Sequence, residues 1–255
     1  MSYLKAHGFS EHFIEMFWRP FFAGVMLDEK LSVDSNFFLF LLKCFSSGSV
    51  GVPALGMQQL PNSIYSQLQP GSVLLGTRVL ETTPSGIKLE SGEVIKASGV
   101  SVSCAPADYE TDFFQVENLY FKTSEKLDWG KWLVIVPPQF GFSINNISLM
   151  SEVAPEYVES KDETLISVSV LSHKFTNDLQ VSQELKKISG KKLTDLKLLK
   201  RISVKKALPK TFGTSEGFLQ KNGISYFGDW AVSPSINGAI ESGRKMAERI
   251  LLDMN

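Results

Sequence analysis

The residues best suited to hold a ligand lie near the end of the chain, where Gly228-Asp229 follows a β-like run. A helix with small residues at its start, Asn237-Gly238-Ala239, is predicted a few residues later. The unpaired N–H groups and the positive dipole end of a helix start attract phosphate or another anion. Gly238 would let a ligand approach the backbone closely, and Asp229 could accept hydrogen bonds from sugar or polyol hydroxyls. The spacing therefore predicts a site for an anion that also carries hydroxyl groups.

The segment after Asn237 has the pattern of an amphipathic helix. Asn237 is predicted to be its N-cap, because an asparagine side chain can accept a hydrogen bond from the free N–H groups of the first turn. One face carries small and apolar residues at helical spacing: Ala239, Gly243, Met246, Ala247 and Ile250. A glycine such as Gly243 is costly within a helix, which indicates close packing against another element. On this pattern alone, a plain amphipathic helix after a turn is the alternative to a ligand site.

The run that begins at Gly228 resembles the C-terminal cofactor-contacting motif of the flavin-dependent amine oxidase superfamily. In that superfamily a Gly-Asp pair ends a strand, and a helix with an Asn-Gly-Ala-like start abuts the flavin. The resemblance implies that Asp229 contacts the ribityl or phosphate part of FAD. It also implies that Asn237, Gly238 and Ala239 lie at the flavin ring and the pyrophosphate.

A second stretch narrows the resemblance to the phytoene-desaturase/protoporphyrinogen-oxidase-like branch. Residues 18–27 read Trp-Arg-Pro-Phe-Phe-Ala-Gly-Val-Met-Leu, which is similar to that branch's Arg-Pro-Phe-Phe-x-Gly-Val-x-Leu signature. Residues 52–57 read Val-Pro-Ala-Leu-Gly-Met and resemble its Pro-x-Gly-Gly-Met run, with Leu55 in place of the first glycine. In that branch this run leads into a helix near the flavin.

The first 50 residues are predicted to be mostly helical. A first helix runs over residues 11–18, with Ser10 as its cap. Pro20 is expected to end this helix, since proline lacks the N–H that a helix needs and its ring clashes with the preceding turn. Residues 21–24 are then expected to form a turn.

A second helix is predicted over Ser35–Ser46, with either Asp34 or Ser35 as its cap. The phenylalanines around these helices have two interpretations. They form the core, which the burial preference of phenylalanine favours. Alternatively, Phe21 and Phe22, together with Met57, form the wall of a cavity for a hydrophobic substrate.

Residues 72–106 form the best strand region of the chain. The predicted strands are Val73–Leu75, Thr77–Leu80, Ile87–Glu90, Val94–Ala97 and Gly99–Pro106. The last of these reads as a buried strand that ends near a ligand crevice. The family resemblance implies that Val79 contacts the adenine of FAD through its backbone. Periodicity by itself favours an ordinary β-meander.

These elements predict an α/β fold with an α+β mix, namely part of a Rossmann-like FAD-binding domain together with an α+β substrate domain. By resemblance, residues 1–70 and 113–210 are substrate-domain segments. Residues 71–112 and 211–255 are the remaining parts of the FAD-binding domain.

Composition excludes several classes of protein. The 255 residues carry a net charge of −1, which gives no reason to expect a nucleic-acid partner. Cys44 and Cys104 are far apart and match no metal spacing, and the three histidines lack metal or triad partners, so no metal site is predicted. The lysines between residues 186 and 210 would suit an acidic membrane surface, although a solvated face explains them more simply.

The chain is expected to be cytoplasmic, either free or peripheral at a membrane. Its start lacks the basic and apolar regions of a signal peptide. The longest apolar block, Phe37–Leu42, is too short to span a bilayer.

One expected feature is absent from the sequence. Full-length members of the family begin with a strand, a Gly-x-Gly-x-x-Gly loop and a helix that together bind the FAD pyrophosphate, and no such run occurs here. We therefore expect an N-terminally truncated member, whose remaining strand edge and apolar surface invite a partner chain that carries the missing loop.

Two functions follow from the sequence. The first is an FAD-dependent oxidoreductase in which the flavin accepts a hydride from a hydrophobic small molecule, with no catalytic base that can be named. The second is a non-catalytic fragment or subunit that keeps the fold and needs a partner for cofactor binding. FAD is not expected to be held tightly by this chain alone.

Overall fold

The computed structural model describes residues 2–32, 34–109 and 111–253. The chain divides into two compact units. The first contains residues 1–67 and 115–205, and the second contains residues 68–114 and 206–255. These bounds lie within a few residues of the four segments predicted from the sequence. The assignment of those segments to a substrate domain and an FAD-binding domain stays a prediction.

Helices and strands are mixed in both units, which confirms the predicted α+β mix. The helices are α1 (Ser2–Ala6), α2 (Glu11–Phe13), α3 (Arg19–Met26), α4 (Ser35–Ser46), α5 (Gln59–Tyr65), α6 (Met150–Val153), α7 (Asp178–Ser189) and α8 (Ile236–Asp253). The strands are β1 (Val79–Thr83), β2 (Gly86–Leu89), β3 (Val94–Lys96), β4 (Ser101–Val102), β5 (Phe113–Thr123), β6 (Val134–Ile135), β7 (Ile144–Leu149), β8 (Thr164–Leu171), β9 (Lys197–Pro209), β10 (Leu219–Lys221) and β11 (Ile224–Tyr226). None of the helices in the described part of the chain is long and apolar enough to cross a membrane.

The first unit is built on a five-stranded sheet with the strand order β6-β7-β8-β5-β9. Strand β8 alternates between buried and partly buried positions, so Ile166 and Val168 point into the core while the intervening serine does not. Helix α7 adds Val181 and Leu185 to the same hydrophobic cluster. The sheet and α7 thus supply a core that does not depend on the aromatic N-terminal segment.

The predicted helix break at Arg19-Pro20 is wrong. The helix begins after Ser10, whose hydroxyl accepts a hydrogen bond from Phe13 N–H, and passes through a π-helical turn at Ile14–Trp18 into α3. The Arg19 N–H donates to the carbonyl oxygen of Ile14, five residues back. This wider turn lets Pro20 enter at the start of α3 without ending the helix. Residues 21–24, predicted as a turn, therefore lie within α3.

The predicted helix at Ser35–Ser46 is confirmed as α4. Asp34 is its cap, since the carboxylate Oδ1 accepts a hydrogen bond of 2.8 Å from Asn36 N–H. Helix α4 carries apolar side chains around most of its circumference, yet none of its residues is fully buried. A helix of this kind usually lies in a protein core or at an apolar surface.

The second unit contains two three-stranded sheets and α8. Three of the predicted strands, those that begin at Thr77, Ile87 and Val94, correspond to the antiparallel sheet β1-β2-β3. Residues 73–75, predicted as a strand, are not one. Gly71 and Gly76, on either side of them, have φ values of 84° and 67°, so the backbone turns there, and Leu75 is 83% exposed. The strand predicted over residues 99–106 is reduced to the two residues of β4.

Gly24 fixes how closely α3 approaches β7 in the first unit. A Cβ atom at this position would lie 2.6 Å from Asn145 Oδ1 and 2.8 Å from Asn146 Nδ2. Those side chains cannot easily yield, because Asn145 Nδ2 donates to the carbonyl oxygen of Pro20 and Asn146 Nδ2 donates to Asn145 Oδ1. The glycine of the Arg-Pro-Phe-Phe-x-Gly segment therefore permits close packing of α3 on the sheet.

We predict that Gly24→Ala destabilises the protein by about 1–3 kcal/mol, because the added methyl group displaces Asn145 and breaks its hydrogen bonds. Gly48→Ala is the matched control, since a Cβ atom there meets nothing within 4 Å. The free energies of unfolding of both variants and the wild type are to be measured by urea denaturation. Equal midpoints for the two variants would contradict this account of Gly24.

Candidate functional site

The candidate site lies at the carboxyl ends of two parallel strands in the second unit. Strands β4 and β11 pair in parallel, with Ser101 opposite Ser225 and Val102 opposite Tyr226. The segments that follow these two strands therefore leave the sheet at the same end. In open sheets of this kind, ligands bind in the crevice outside the carboxyl ends of the strands.

Gly228 follows β11 in a conformation that other residues do not readily adopt. Its φ and ψ are 149° and 179°. A Cβ atom on it would lie 2.8 Å from Trp230 Nε1 and 3.6 Å from the carbonyl oxygen of Ser103, just beyond β4. The Gly-Asp pair predicted from the sequence thus needs its glycine for the backbone path of the site itself.

Ser242 of α8 holds Gly228 in place. The Ser242 hydroxyl accepts a hydrogen bond of 2.9 Å from Gly228 N–H and donates one of 2.6 Å to the carbonyl oxygen of Gly217. Ser242 is completely buried, so water cannot replace either bond. Nothing in the sequence pattern drew attention to this serine, because a helical serine most often faces solvent.

Asp229 directs one carboxylate oxygen to its own backbone turn and leaves the other available. Its Oδ1 accepts a hydrogen bond of 3.0 Å from Trp230 N–H, and Oδ2 receives none from the residues that the structure describes. Partial burial raises the pKa of Asp229, and its backbone hydrogen bonds offset this only in part. Trp230 itself is buried and packs against Tyr109, with ring centroids 4.6 Å apart. A carboxylate on a rigid turn is a suitable acceptor for a ligand hydroxyl.

Helix α8 begins one residue after Ser235, and Ser235 is its cap. The Ser235 hydroxyl accepts a hydrogen bond of 2.9 Å from Gly238 N–H, and the Ser235 carbonyl oxygen accepts one from Ala239 N–H. The prediction that Asn237 is the cap is therefore wrong. Asn237 occupies the second helical position, because a serine three residues before Gly238 satisfies its N–H with a shorter side chain.

The start of α8 retains free donors. Within the described part of the chain, no acceptor contacts the N–H groups of Ile236 and Asn237, and both residues are exposed. The adjacent turn Asp229–Ala231 packs against α8. Free N–H donors and a carboxylate acceptor are thus carried by two elements that touch each other, as expected for a ligand with both phosphate and hydroxyl groups.

Gly238 has a structural role as well as a predicted role in binding. A Cβ atom on Gly238 would lie 2.0 Å from the carbonyl oxygen of Ser233. The loop before α8 therefore requires this glycine whether or not a ligand approaches it.

The buried face of α8 differs from the predicted one. Gly238, Ser242 and Met246 are buried, each four residues after the last. Three members of the predicted face, Ala239, Ala247 and Ile250, are exposed. Met246 belongs to both the predicted and the observed face. Gly238 and Ser242 are buried because of contacts with Ser233 and Gly217, which helical periodicity does not show.

The other predicted contacts lie elsewhere in the two units. Val79 begins β1 of the second unit, where it is exposed and lies opposite Leu89 of β2. Phe22 is buried in the first unit, where it lines a cavity, and Phe21 and Met57 are not among the residues lining that cavity. Met57 is largely exposed. No cluster of His, Cys, Asp or Glu suited to a metal ion occurs among the described residues.

The resemblance to the flavin-dependent amine oxidase superfamily can be compared with known protein families. Residues 1–115 match the family described as flavin containing amine oxidoreductase. Over this part of the chain the match agrees with the predicted family. The matched part contains the Arg-Pro-Phe-Phe segment, β1–β3 and β4, while the Gly228–Ala239 region lies beyond it. Comparison with the curated proteins gives no match.

Two solved structures share the fold. A protoporphyrinogen oxidase-like protein from Exiguobacterium sp. 255-15 matches with a TM-score of 0.59 and 16% identity, over 78% of this chain and 52% of that chain. Reduced UDP-galactopyranose mutase matches with a TM-score of 0.55 and 11% identity, over 79% of this chain and 54% of that chain. The chain therefore spans about half the length of these structures.

We predict that Ser242→Ala destabilises the second unit by about 1–3 kcal/mol, because it leaves Gly228 N–H buried without an acceptor. Faster hydrogen–deuterium exchange at Gly228 and Asp229 should accompany this loss. Ser98→Ala, an exposed serine of the same unit, is the control and should change stability by less than about 0.5 kcal/mol. Unchanged exchange at Gly228 in the Ser242 variant would contradict the role assigned to this hydroxyl.

The raised pKa of Asp229 predicts a specific pH dependence. Because the folded state holds the Asp229 proton more tightly than the unfolded state, its contribution to stability is present below the ordinary pKa of 3.8 and is lost as the pH rises through the folded value. In the absence of cofactor, Asp229→Asn should therefore become more stable relative to the wild type as the pH rises through this range. Urea denaturation across pH 3–7 measures the difference, and a constant difference would show that burial does not shift this carboxyl.

Proposed function

We propose that this chain forms one part of an FAD-dependent oxidoreductase that acts on a hydrophobic small molecule. The observation that carries the proposal is that two kinds of group occur on neighbouring elements: the Asp229 oxygen Oδ2, to which no described residue donates, and the free N–H groups at the start of α8. Support comes from the match of residues 1–115 to a flavin-containing family. When bound, the flavin would supply the redox chemistry by accepting a hydride from the substrate.

The residues beyond the carboxyl ends of β4 and β11 fit the polar part of FAD. Asp229 would accept a hydrogen bond from a ribityl hydroxyl through the oxygen that no described residue contacts. The N–H groups of Ile236 and Asn237 would face a phosphate oxygen, which the helix dipole also favours. Ala239 adds little bulk at the first turn, and the backbone of Val79 would contact adenine.

We further propose that a second polypeptide supplies the glycine-rich loop for the pyrophosphate. Strand β4 pairs with β11 on one side, and no described strand pairs with its other side. Ile236, Ile240 and Ile250 of α8 are exposed. Parallel strands are usually covered on both faces and extended by further strands. The open edge of β4 and the exposed isoleucines of α8 support a partner that adds a strand to this sheet.

We propose as the second function a non-catalytic subunit whose role is to complete the fold of that partner. The open edge of β4 supports both functions, but for the second it is sufficient, since that function needs no flavin. The two functions differ in whether Asp229 governs the affinity for flavin.

The expected result is weak, saturable binding of FAD by the purified chain and its loss during gel filtration, because only part of the cofactor is held. Asp229→Ala should weaken the binding of FAD and of riboflavin by about tenfold, which corresponds to one hydrogen bond to a charged acceptor. The affinity for ADP should not change, because ADP lacks the ribityl chain. Flavin fluorescence titrations measure the first two affinities, and calorimetry measures the third.

Ser98→Ala serves as the control variant for these titrations and should bind both flavins like the wild type. Equal flavin binding by the Asp229→Ala variant and the wild type would refute the flavin site and leave the non-catalytic function. FAD that stays with the wild-type chain through gel filtration would instead refute the need for a partner.

A further inference from the structure

The first unit contains a cavity of about 280 Å³ that no predicted flavin contact uses. It lies among α1, α3, α4 and the loop before α4. Its lining includes Tyr3, Phe22, Met26, Asp34, Phe38 and Leu41. Ligand sites are typically concave and mostly apolar, with a few polar groups that orient the ligand. The size and composition of this cavity suit a small ligand.

The apolar wall of the cavity is held by the fold. Phe22 and Met26 are buried residues of α3, so their positions follow from the packing of that helix. Phe38 of α4 packs on Phe22 with ring centroids 4.7 Å apart, and Tyr3 of α1 lies 6.1 Å from Phe38. Three rings from three helices thus define a pocket for an apolar body, and Leu41 adds an aliphatic side chain from α4.

The polar part of the cavity consists of the exposed carboxylate of Asp34 and the hydroxyl groups of Ser2 and Ser35. Asp34 Oδ1 caps α4 through Asn36 N–H, and no described residue donates to Oδ2. Since Asp34 lines the cavity, this oxygen can accept a hydrogen bond from a ligand. The same negative charge opposes a ligand carboxylate of equal sign.

From this arrangement we infer that the cavity binds a small molecule with an apolar body and a hydrogen-bond donor at one end. The donor, a hydroxyl or an ammonium group, bonds to Asp34, and the body packs against the rings of Tyr3, Phe22 and Phe38. This inference goes beyond the flavin proposal, because every lining residue belongs to the first unit whereas the proposed flavin contacts belong to the second.

The test uses three probes that share one body: 2-cyclohexylethanol, 2-cyclohexylethylamine and cyclohexylacetate. Ligand-observed NMR titrations of the whole chain give their dissociation constants. The alcohol, the amine or both should bind saturably, and the carboxylate should bind at least tenfold more weakly. The alcohol and amine arms distinguish a hydroxyl donor from a cation. The saturated probes do not absorb in the tryptophan range, so Trp18, 5.8 Å from Phe22, reports binding independently by fluorescence.

Two variants locate the site. Leu41→Trp fills the cavity and should weaken the best probe at least tenfold. Leu39→Trp, on the exposed side of the same helix, is the control and should not. Asp34→Asn keeps the helix cap, since asparagine caps as well as aspartate. It should reduce the discrimination against cyclohexylacetate while the alcohol still binds.

Each contrary result is informative. Absence of saturable binding by the alcohol and the amine would overturn the inference, as would equal binding of all three probes by the wild type. If the thermal transition shows that Leu41→Trp is unfolded, the site is tested by Asp34→Asn alone. Unchanged discrimination against cyclohexylacetate in that variant would then overturn the inference. None of these outcomes bears on the flavin proposal, whose titrations depend on Asp229 in the second unit.

Discussion

The hydroxyl group of Ser242 connects three segments on which the candidate site depends. It ties the end of β11, through Gly228, to α8 and to the loop that carries Gly217. Because the group is completely buried, both bonds are made in a medium where an unpaired polar atom is costly. The backbone immediately before Asp229 is therefore held to α8 by a single side chain that itself need not touch a ligand.

A comparable constraint organises the first unit. The carbonyl oxygen of Pro20 accepts a hydrogen bond from Asn145 on β7, and Gly24 leaves room for that asparagine one turn later. Arg19 forms an ion pair with Glu15 and also donates to the carbonyl oxygen of Glu29. The Arg-Pro-Phe-Phe-x-Gly signature thus contains the residues that let α3 pack on the sheet. Its polar and small residues are explained by this packing without reference to a substrate.

Local signals in the sequence predicted those features that local chemistry controls. The Asp34 cap of α4 and the strands β2 and β3 are examples, since each depends on neighbouring residues. The course of the chain through Pro20 was not predictable, because a π-helical turn leaves no periodic trace at this length. The buried face of α8 was predicted only at Met246, since the burial of Gly238 and Ser242 depends on tertiary contacts that leave no trace in the helical pattern.

The open edge of β4 has a consequence for the life of the chain in the cell. Among the described residues β4 has one unpaired edge, and α8 carries exposed isoleucines. Open strand edges and exposed apolar side chains are features by which chaperones and proteases select their clients. If a second polypeptide covers this edge, the abundance of the chain would follow the supply of that polypeptide. Stoichiometry between the two would then be maintained by turnover of the excess, without any regulation of their genes.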